Sequence, residues 1–153
     1  MMTLKTFAAR FKPMILKEIV EKALKVFHRH DRVVAVWLFG SAAEERMRVG
    51  SDLDLAVLFQ EKPPFEVWAD LRADLQEALK FEDIDLVTLN EAHPILRFEA
   101  VRGKCLYCVD PEAVAAFVSL SAREYEDTMA FLERGRQMTA EVRQHAVGER
   151  DSG

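Results

Sequence analysis

Short apolar runs separated by longer amphipathic segments dominate the hydrophobic pattern of this 153-residue chain. Residues 33–39 are apolar or β-branched throughout and residues 53–59 are so apart from Asp54, and each run is too short for a helix that buries one stripe. They therefore predict buried strands. Residues 82–89 and 105–109 predict two further strands. Strands that alternate with helical segments indicate an α/β fold built on a small sheet.

The stretches between these runs have apolar residues at the spacing of a helix. Apolar residues recur at three- and four-residue steps in 13–30, with Pro13 in the first turn, and again in 65–80. A short helix is predicted at 95–102, where Gly103 ends it. A long helical segment covers 111–148, and a break near Gly135 is left open. One face of that segment carries its predicted core stripe: Val114, Phe117, Val118, Tyr125, Met129 and Leu132.

Three apolar residues of the long segment, Phe131, Met138 and Val142, fall away from this stripe. They form an apolar patch suited to a helical partner. Alternatively, the segment bends near Gly135 and buries them against its own domain or in a homodimer. The length of the chain and the lack of a low-complexity linker indicate a single domain over 1–153, with a core at about 13–110 and the helical segment at about 111–147.

Composition and charge narrow the class of function. A net charge of −5 argues against a broad nucleic-acid-binding surface, because Lys and Arg contacts to phosphate supply most of that affinity. No apolar run reaches the length needed to cross a membrane. Residues 1–10 lack the apolar core and cleavage site of a secretion signal. We therefore expect a cytoplasmic protein without a nucleic-acid or membrane partner.

The two cysteines form a lone C-x-x-C, Cys105 and Cys108. In a regular strand, residues three apart face opposite sides of the sheet. With no second pair or histidine cluster to complete a zinc site, we interpret them as two ordinary reduced thiols.

Paired acids at the start of the second strand carry the clearest chemical signal. The two-residue side-chain period puts Asp52 and Asp54 on one face, while the apolar residues of the strand face the other way. Like charges this close repel, and a charge inside an apolar strand is costly unless it is paired. Mg²⁺, which prefers hard oxygen ligands, would remove the conflict. For Asp52, a cap on the turn formed by Gly50 and Ser51 is the alternative.

A glycine and a serine, Gly40 and Ser41, stand where the first strand is predicted to give way to a helix. Free backbone N–H groups and a hydroxyl at such a junction can bind the phosphates of a nucleotide. Ser41 with Glu44 also fits a capping box, which serves only helix stability. Ser51 is equally a turn residue or a phosphate contact.

The spacing Gly40, Ser41, ten residues, Asp52, one residue, Asp54 resembles the signature of the polymerase β-like nucleotidyltransferases, and the chain looks like a minimal nucleotidyltransferase. The resemblance implies that family's fold and a third metal carboxylate, Asp85, on a neighbouring strand, where it also helps to activate the incoming hydroxyl. Alternatively, Asp85 only forms an ion pair, and Asp83 could substitute for it as the third carboxylate. Where the family usually has arginines and a glycine after the Gly-Ser pair, this chain has other residues: Ala42, Ala43, Glu44 and Glu45.

The resemblance also implies an activity and a partner. We expect Mg²⁺-dependent transfer of AMP from ATP to a hydroxyl, such as that of a tyrosine, on a HEPN-family toxin, with this chain as the antitoxin. The residues expected at the site are Asp52, Asp54 and Asp85 for catalysis and metal binding, and Gly40, Ser41 and Ser51 for the nucleotide. Neutralisation of the toxin by contact alone is one alternative. Transfer to a small hydroxylated molecule is another, although this short chain shows no substrate domain for it.

Overall fold

Helices and strands alternate along the part of the chain that the structure, a computed structural model, describes. It describes the backbone of residues 4–40 and 52–151 and the side chains of 17–40 and 52–148. The predicted helix start at Ser41 and the residues Ser41 and Ser51 lie outside this part. The elements are α1 (Leu4–Arg29), β1 (Val33–Phe39), β2 (Leu53–Phe59), α2 (Phe65–Leu79), β3 (Ile84–Thr88), a 3₁₀ turn (Leu89–Glu91), α3 (Pro94–Val101), β4 (Lys104–Cys108) and α4 (Pro111–Asp151).

The strands form one mixed sheet in the order β3-β2-β1-β4. Strand β1 pairs antiparallel with both β2 and β4, whereas β2 and β3 run parallel. A parallel pair needs a crossover connection, and the helical segment α2 provides it. The α/β fold expected from the alternation of strands and helices is therefore confirmed.

Each face of the sheet is covered by a pair of helices. Leu53, Leu55 and Val57 of β2 are buried on the side of α1 and α2. The alternate residues Ala56 and Leu58 are buried on the side of α3 and α4. Burial on both faces explains why the two central strands, β1 and β2, read as nearly continuous apolar runs rather than as an alternation of apolar and polar residues.

Two helices differ from the prediction, one in where it begins and one in its continuity. Helix α1 begins at Leu4 rather than at Pro13, and the helical spacing of Leu4, Phe7 and Phe11 upstream of the proline is the sequence signal for this earlier start. Helix α4 is continuous from Pro111 to Asp151, so the break considered near Gly135 does not occur. Propagating a helix costs little once it has formed, and a single glycine weakens a helix without ending it.

The predicted core stripe of α4 holds only over its first half. Val114, Phe117 and Val118 pack on the core, and the ring of Tyr125 stacks on Phe98 at a centroid distance of 4.2 Å. Further along, Met129 and Leu132 are exposed, and so are Phe131, Met138 and Val142. Among the described residues, the apolar packing of α4 on the rest of the chain is therefore confined to its first half.

Strand β4 contains a β-bulge that the sequence did not reveal. Cys105 pairs with Trp37, Tyr107 pairs with Val36 and Cys108 pairs with Ala35, so Leu106 is the extra residue. The expectation that the two cysteines face opposite sides is therefore wrong, because the inserted residue shifts the side-chain alternation by one.

None of the helices in the described residues is both long and apolar enough to span a bilayer.

Candidate active site

The turn after β1 is built around a glycine. Gly40 has a φ of +71°, a conformation that L-residues with a side chain rarely adopt. A Cβ at this position would overlap the Asp54 carboxylate. The chain can turn here, and the acid can lie against the backbone of the turn, only because residue 40 has no side chain.

Asp54 occupies the centre of the candidate site. It pairs with Phe39 on β1 and stands in register with Asp85 on the parallel strand β3. In-register residues of neighbouring strands, about 4.8 Å apart, point to the same face of a sheet. Asp52 precedes Asp54 by two residues and is exposed at the same end of β2. All three acids therefore lie at one end of the sheet, on the face that further along is covered by α3 and α4.

Asp83, the alternative third acid, occupies a different place. Its backbone carbonyl accepts a hydrogen bond of 2.8 Å from the Leu53 N–H, just before β3 begins. Asp85, and not Asp83, is the residue paired with Asp54. The pairing of the strands thus favours Asp85 as the third member of the acidic group.

The electrostatics of the acidic group follow from this arrangement. Burial raises the pKa of Asp54 above its usual range, and the nearby carboxylates of Asp85 and Asp52 raise the pKa further. A cation bound among the acids would reverse these contributions, because it favours the charged form.

The donor chemistry of the group suits Mg²⁺, which binds through one or two carboxylates together with waters and substrate phosphates. Among the described residues, however, no three His, Cys, Asp or Glu side chains are already arranged to hold a metal ion. The backbone brings the acids to one place without forming a complete protein cage. A site of this kind fits an ion that arrives with a nucleotide, whose phosphate oxygens complete the coordination.

A second glycine, Gly103, supports the end of β1. A Cβ at this position would overlap the Leu38 carbonyl oxygen and would lie 3.0 Å from the Phe39 Cβ. The chain after α3 therefore packs directly on the residues that lead into Gly40. The sequence indicated Gly103 only as the end of a helix, and the spacing of the motif held no signal for this contact.

Arg97 forms a largely buried ion pair with Glu124 of α4. Its guanidinium lies 2.8 Å from the Glu124 carboxylate and also donates to the carbonyl oxygens of Leu89 and Asn90. The side chain is only 13% exposed. Arg97 fastens α4 to α3 and to the 3₁₀ turn.

Solved structures with a similar fold include two toxin-antitoxin assemblies. One is described as a toxin-antitoxin crystal structure with AMP-PNP; it has a TM-score of 0.68 and 24% identity, and the match covers 79% of this chain and 98% of that one. The other is described as a tri-AMPylated Shewanella oneidensis HEPN toxin in complex with MNT antitoxin; it has a TM-score of 0.65 and 22% identity, and the match covers 82% of this chain and 98% of that one.

Sequence comparison finds relatives and a family. The Methanocaldococcus jannaschii protein named "Putative protein adenylyltransferase MJ0435" is 31% identical over 84 residues, which is 55% of this chain and 88% of that protein. A second protein of the same organism, named "Putative protein adenylyltransferase MJ1215", is 32% identical over 75 residues, covering 49% of this chain and 86% of that protein. The family model described as polymerase beta, nucleotidyltransferase matches residues 21–112, more than half of the chain and the whole of the acidic site. This chain therefore belongs to the polymerase beta nucleotidyltransferase family.

Proposed function

We propose that this chain transfers AMP from Mg²⁺-bound ATP to a hydroxyl, that of a tyrosine, on a HEPN-type toxin and thereby acts as the toxin's antitoxin. The observation that carries the proposal is the in-register pair of Asp54 and Asp85 beside the Gly40 turn. It occurs in a chain of the nucleotidyltransferase family.

The site residues divide the work as follows. Asp52, Asp54 and Asp85 would hold the metal, which supplies neutralisation of the charge on the attacking and leaving oxygens. Gly40, together with Ser41 and Ser51, would bind the phosphates of ATP through backbone N–H groups and hydroxyls. Asp85 is exposed at the edge of the site, where it can accept the proton of the acceptor hydroxyl. The hydroxyl oxygen then bonds to the α-phosphorus, the bond from that phosphorus to the bridging oxygen breaks, and pyrophosphate leaves.

A protein acceptor is supported by the known proteins that this chain resembles. Both curated relatives carry names of protein adenylyltransferases, and one similar structure holds an AMPylated HEPN toxin. Another contains AMP-PNP, an ATP analogue, which supports ATP as the nucleotide. In this chain, the second half of α4 offers an exposed apolar stripe through which a partner could be positioned: Phe131, Met138 and Val142.

Transfer can be tested directly with the purified chain and its HEPN-type partner. Incubation with Mg²⁺ and α-labelled ATP should label the partner and raise its mass by one or more AMP groups. Tyr→Phe variants of the partner then locate the acceptor. The Asp54→Asn variant of this chain is the matched control and should give no label. An unlabelled partner, with both proteins folded and ATP bound, would contradict transfer.

The exposed second half of α4 also favours a second candidate, neutralisation of the toxin by contact without chemistry. The acidic and small residues that follow Gly40 and Ser41, where related enzymes usually carry arginines, are consistent with it. The same experiment separates the two functions. A tight complex that silences the toxin without any AMP on it, equally well with Asp54→Asn, supports the contact mechanism.

A further inference from the structure

Strand β4 carries both cysteines of the chain, and the β-bulge puts them on one face. Cys105 pairs with Trp37 and Cys108 pairs with Ala35. Residues that pair directly across an antiparallel ladder share a face, and Trp37 and Ala35 are two positions apart on β1. Cys105 and Cys108 therefore face the same side of the sheet.

Packing on the opposite side agrees with this assignment. Leu106 and Tyr107, the two residues between the cysteines, both pack against the core under α1. The Tyr107 ring lies 5.7 Å from that of Phe27, centroid to centroid. With both intervening side chains turned inward, the two thiols are left together on the other face, where both cysteines are exposed.

The spacing of the thiols suits a bridging metal ion better than a disulfide. Two ladder positions separate the cysteines, so their Cα atoms are about 6.6 Å apart, near the upper limit for a disulfide of about 6.8 Å. Zinc–sulfur bonds of about 2.3 Å in a tetrahedral site hold two sulfurs about 3.8 Å apart, nearly twice the length of an S–S bond. The Cys105 Sγ lies 3.5 Å from the carbonyl oxygen of Tyr107, the residue that directly precedes Cys108.

Cys108 also acts electrostatically on the Cys105 thiol. Burial raises the pKa of the Cys105 thiol, and the neighbouring Cys108 raises it further. A thiol with a raised pKa is a poor nucleophile and resists spontaneous oxidation. A metal ion can still bind such a thiol by displacing its proton.

We propose that Cys105 and Cys108 form a two-thiolate chelate site for a thiophilic d¹⁰ metal ion of the Zn²⁺ class. The described residues offer no group of three His, Cys, Asp or Glu side chains for a metal, so the remaining coordination positions are filled from elsewhere. The thiols lie on β4 and the acidic group lies on β2 and β3, on the other side of β1. The two sites also differ in metal preference, because carboxylates suit Mg²⁺ whereas thiolates select softer metals. It lies on the strand that leads directly into α4.

Cadmium titration tests the proposal, because a thiolate bound to Cd²⁺ gives a charge-transfer band in the ultraviolet that carboxylates do not give. The reduced wild-type chain is titrated with Cd²⁺ in excess Mg²⁺, and Zn²⁺ is then added as a competitor. We expect a saturable band that Zn²⁺ abolishes. Asp54→Asn, which leaves both thiols in place, should keep the band unchanged. Calorimetry in buffers of different ionisation enthalpy should show proton release, and Cd²⁺ affinity should fall as the pH is lowered.

Single substitutions decide whether the thiols act together. Cys105→Ser and Cys108→Ser each remove one exposed thiol, and circular dichroism confirms that each variant is folded. Loss of an outer-shell partner of a metal ligand weakens metal binding by roughly 10–100-fold. Loss of a ligand thiol should weaken Cd²⁺ binding by more than this. The proposal is overturned if the wild-type chain gives no band, or if either single variant binds Cd²⁺ as tightly as the wild-type chain.

Discussion

At the candidate site, the position of the Asp54 carboxylate depends on the backbone conformation of Gly40. The glycine adopts a positive φ, and the space that its missing side chain leaves is filled by the Asp54 carboxylate. The conformation of one residue therefore fixes where the central acid can lie.

Gly40→Ala should consequently damage both stability and activity. We expect a loss of about 1–3 kcal/mol, because an L-residue is strained at this φ and its Cβ must displace the carboxylate. Gly135→Ala is the matched control: this glycine lies within α4 with open space around it, and alanine there should stabilise by about 0.5–1 kcal/mol. Denaturant unfolding measures the stability of both variants. Equal effects of the two substitutions would contradict the close contact.

Asp54→Asn should remove Mg²⁺-dependent ATP binding and lower the rate of AMP transfer by about 100-fold or more, as expected from losing several kcal/mol of charge stabilisation. The metal-free fold should not lose stability, because the substitution removes a carboxylate that its neighbours repel. Calorimetric titration of ATP with and without Mg²⁺ measures the binding. A mutant that binds Mg·ATP like the wild-type chain would exclude Asp54 as a ligand.

The raised pKa of Asp54 makes the stability of the fold depend on pH. The folded chain holds the Asp54 proton to a higher pH than the unfolded chain does, so stability falls as pH rises from about 4 through the folded pKa and then levels off. Metal-free unfolding of the wild-type chain and of Asp54→Asn across this range isolates the contribution. The wild-type chain should lose stability relative to the variant as pH rises, and a difference that stays flat or runs the other way would be inconsistent with repulsion among the acids.

At the scale of elements, helix α4 packs on the core along its first half and is exposed along its second half. Its first half is fixed on the core by Phe117 and by the stack of Tyr125 on Phe98. In its second half, Phe131, Met138 and Val142 are 69%, 66% and 68% exposed. At about 100° per residue, their spacing of seven and four puts them within a narrow stripe. The alternative in which the segment bends and buries them against its own domain is wrong.

Phe131→Glu should therefore weaken binding of the HEPN-type partner without changing ATP binding or the melting temperature. A charge in the middle of an apolar contact costs binding energy, whereas the same charge on the free helix is solvated. Gln137→Glu, exposed on another side of α4, is the control for the added charge and should bind the partner normally. If both variants bind alike, the stripe is not the docking surface.

At the scale of the whole molecule, Arg97, through its ion pair with Glu124 and its backbone contacts, joins the 3₁₀ turn, α3 and α4. The guanidinium is only 13% exposed, makes hydrogen bonds to two backbone carbonyls and lies 5.4 Å from the Phe117 ring centroid. Removing it leaves a partly buried carboxylate and two carbonyls without this partner, a larger loss than that of a surface ion pair.

Arg97→Ala should destabilise the fold by about 2–4 kcal/mol, after allowance for the partial exposure of Glu124. Arg136→Ala, which removes the guanidinium of an exposed pair with Glu133 on the same helix, should leave the melting temperature unchanged. Thermal and denaturant unfolding compare the two variants. The folded fraction of Arg97→Ala should still bind ATP, and a selective loss of ATP binding would instead point to a nucleotide contact.

The local sequence determined the buried strands, the family resemblance and the face shared by Asp52 and Asp54. These depend on short apolar runs and on a two-residue period that acts within one strand. Tertiary structure decided the rest. The pairing of β2 with β3 put Asp85, rather than Asp83, in register with Asp54, and the packing of α4 left Met129 and Leu132 exposed. The bulge in β4 brought two cysteines to one face, because register depends on the neighbouring strand and cannot be read from a strand's own residues.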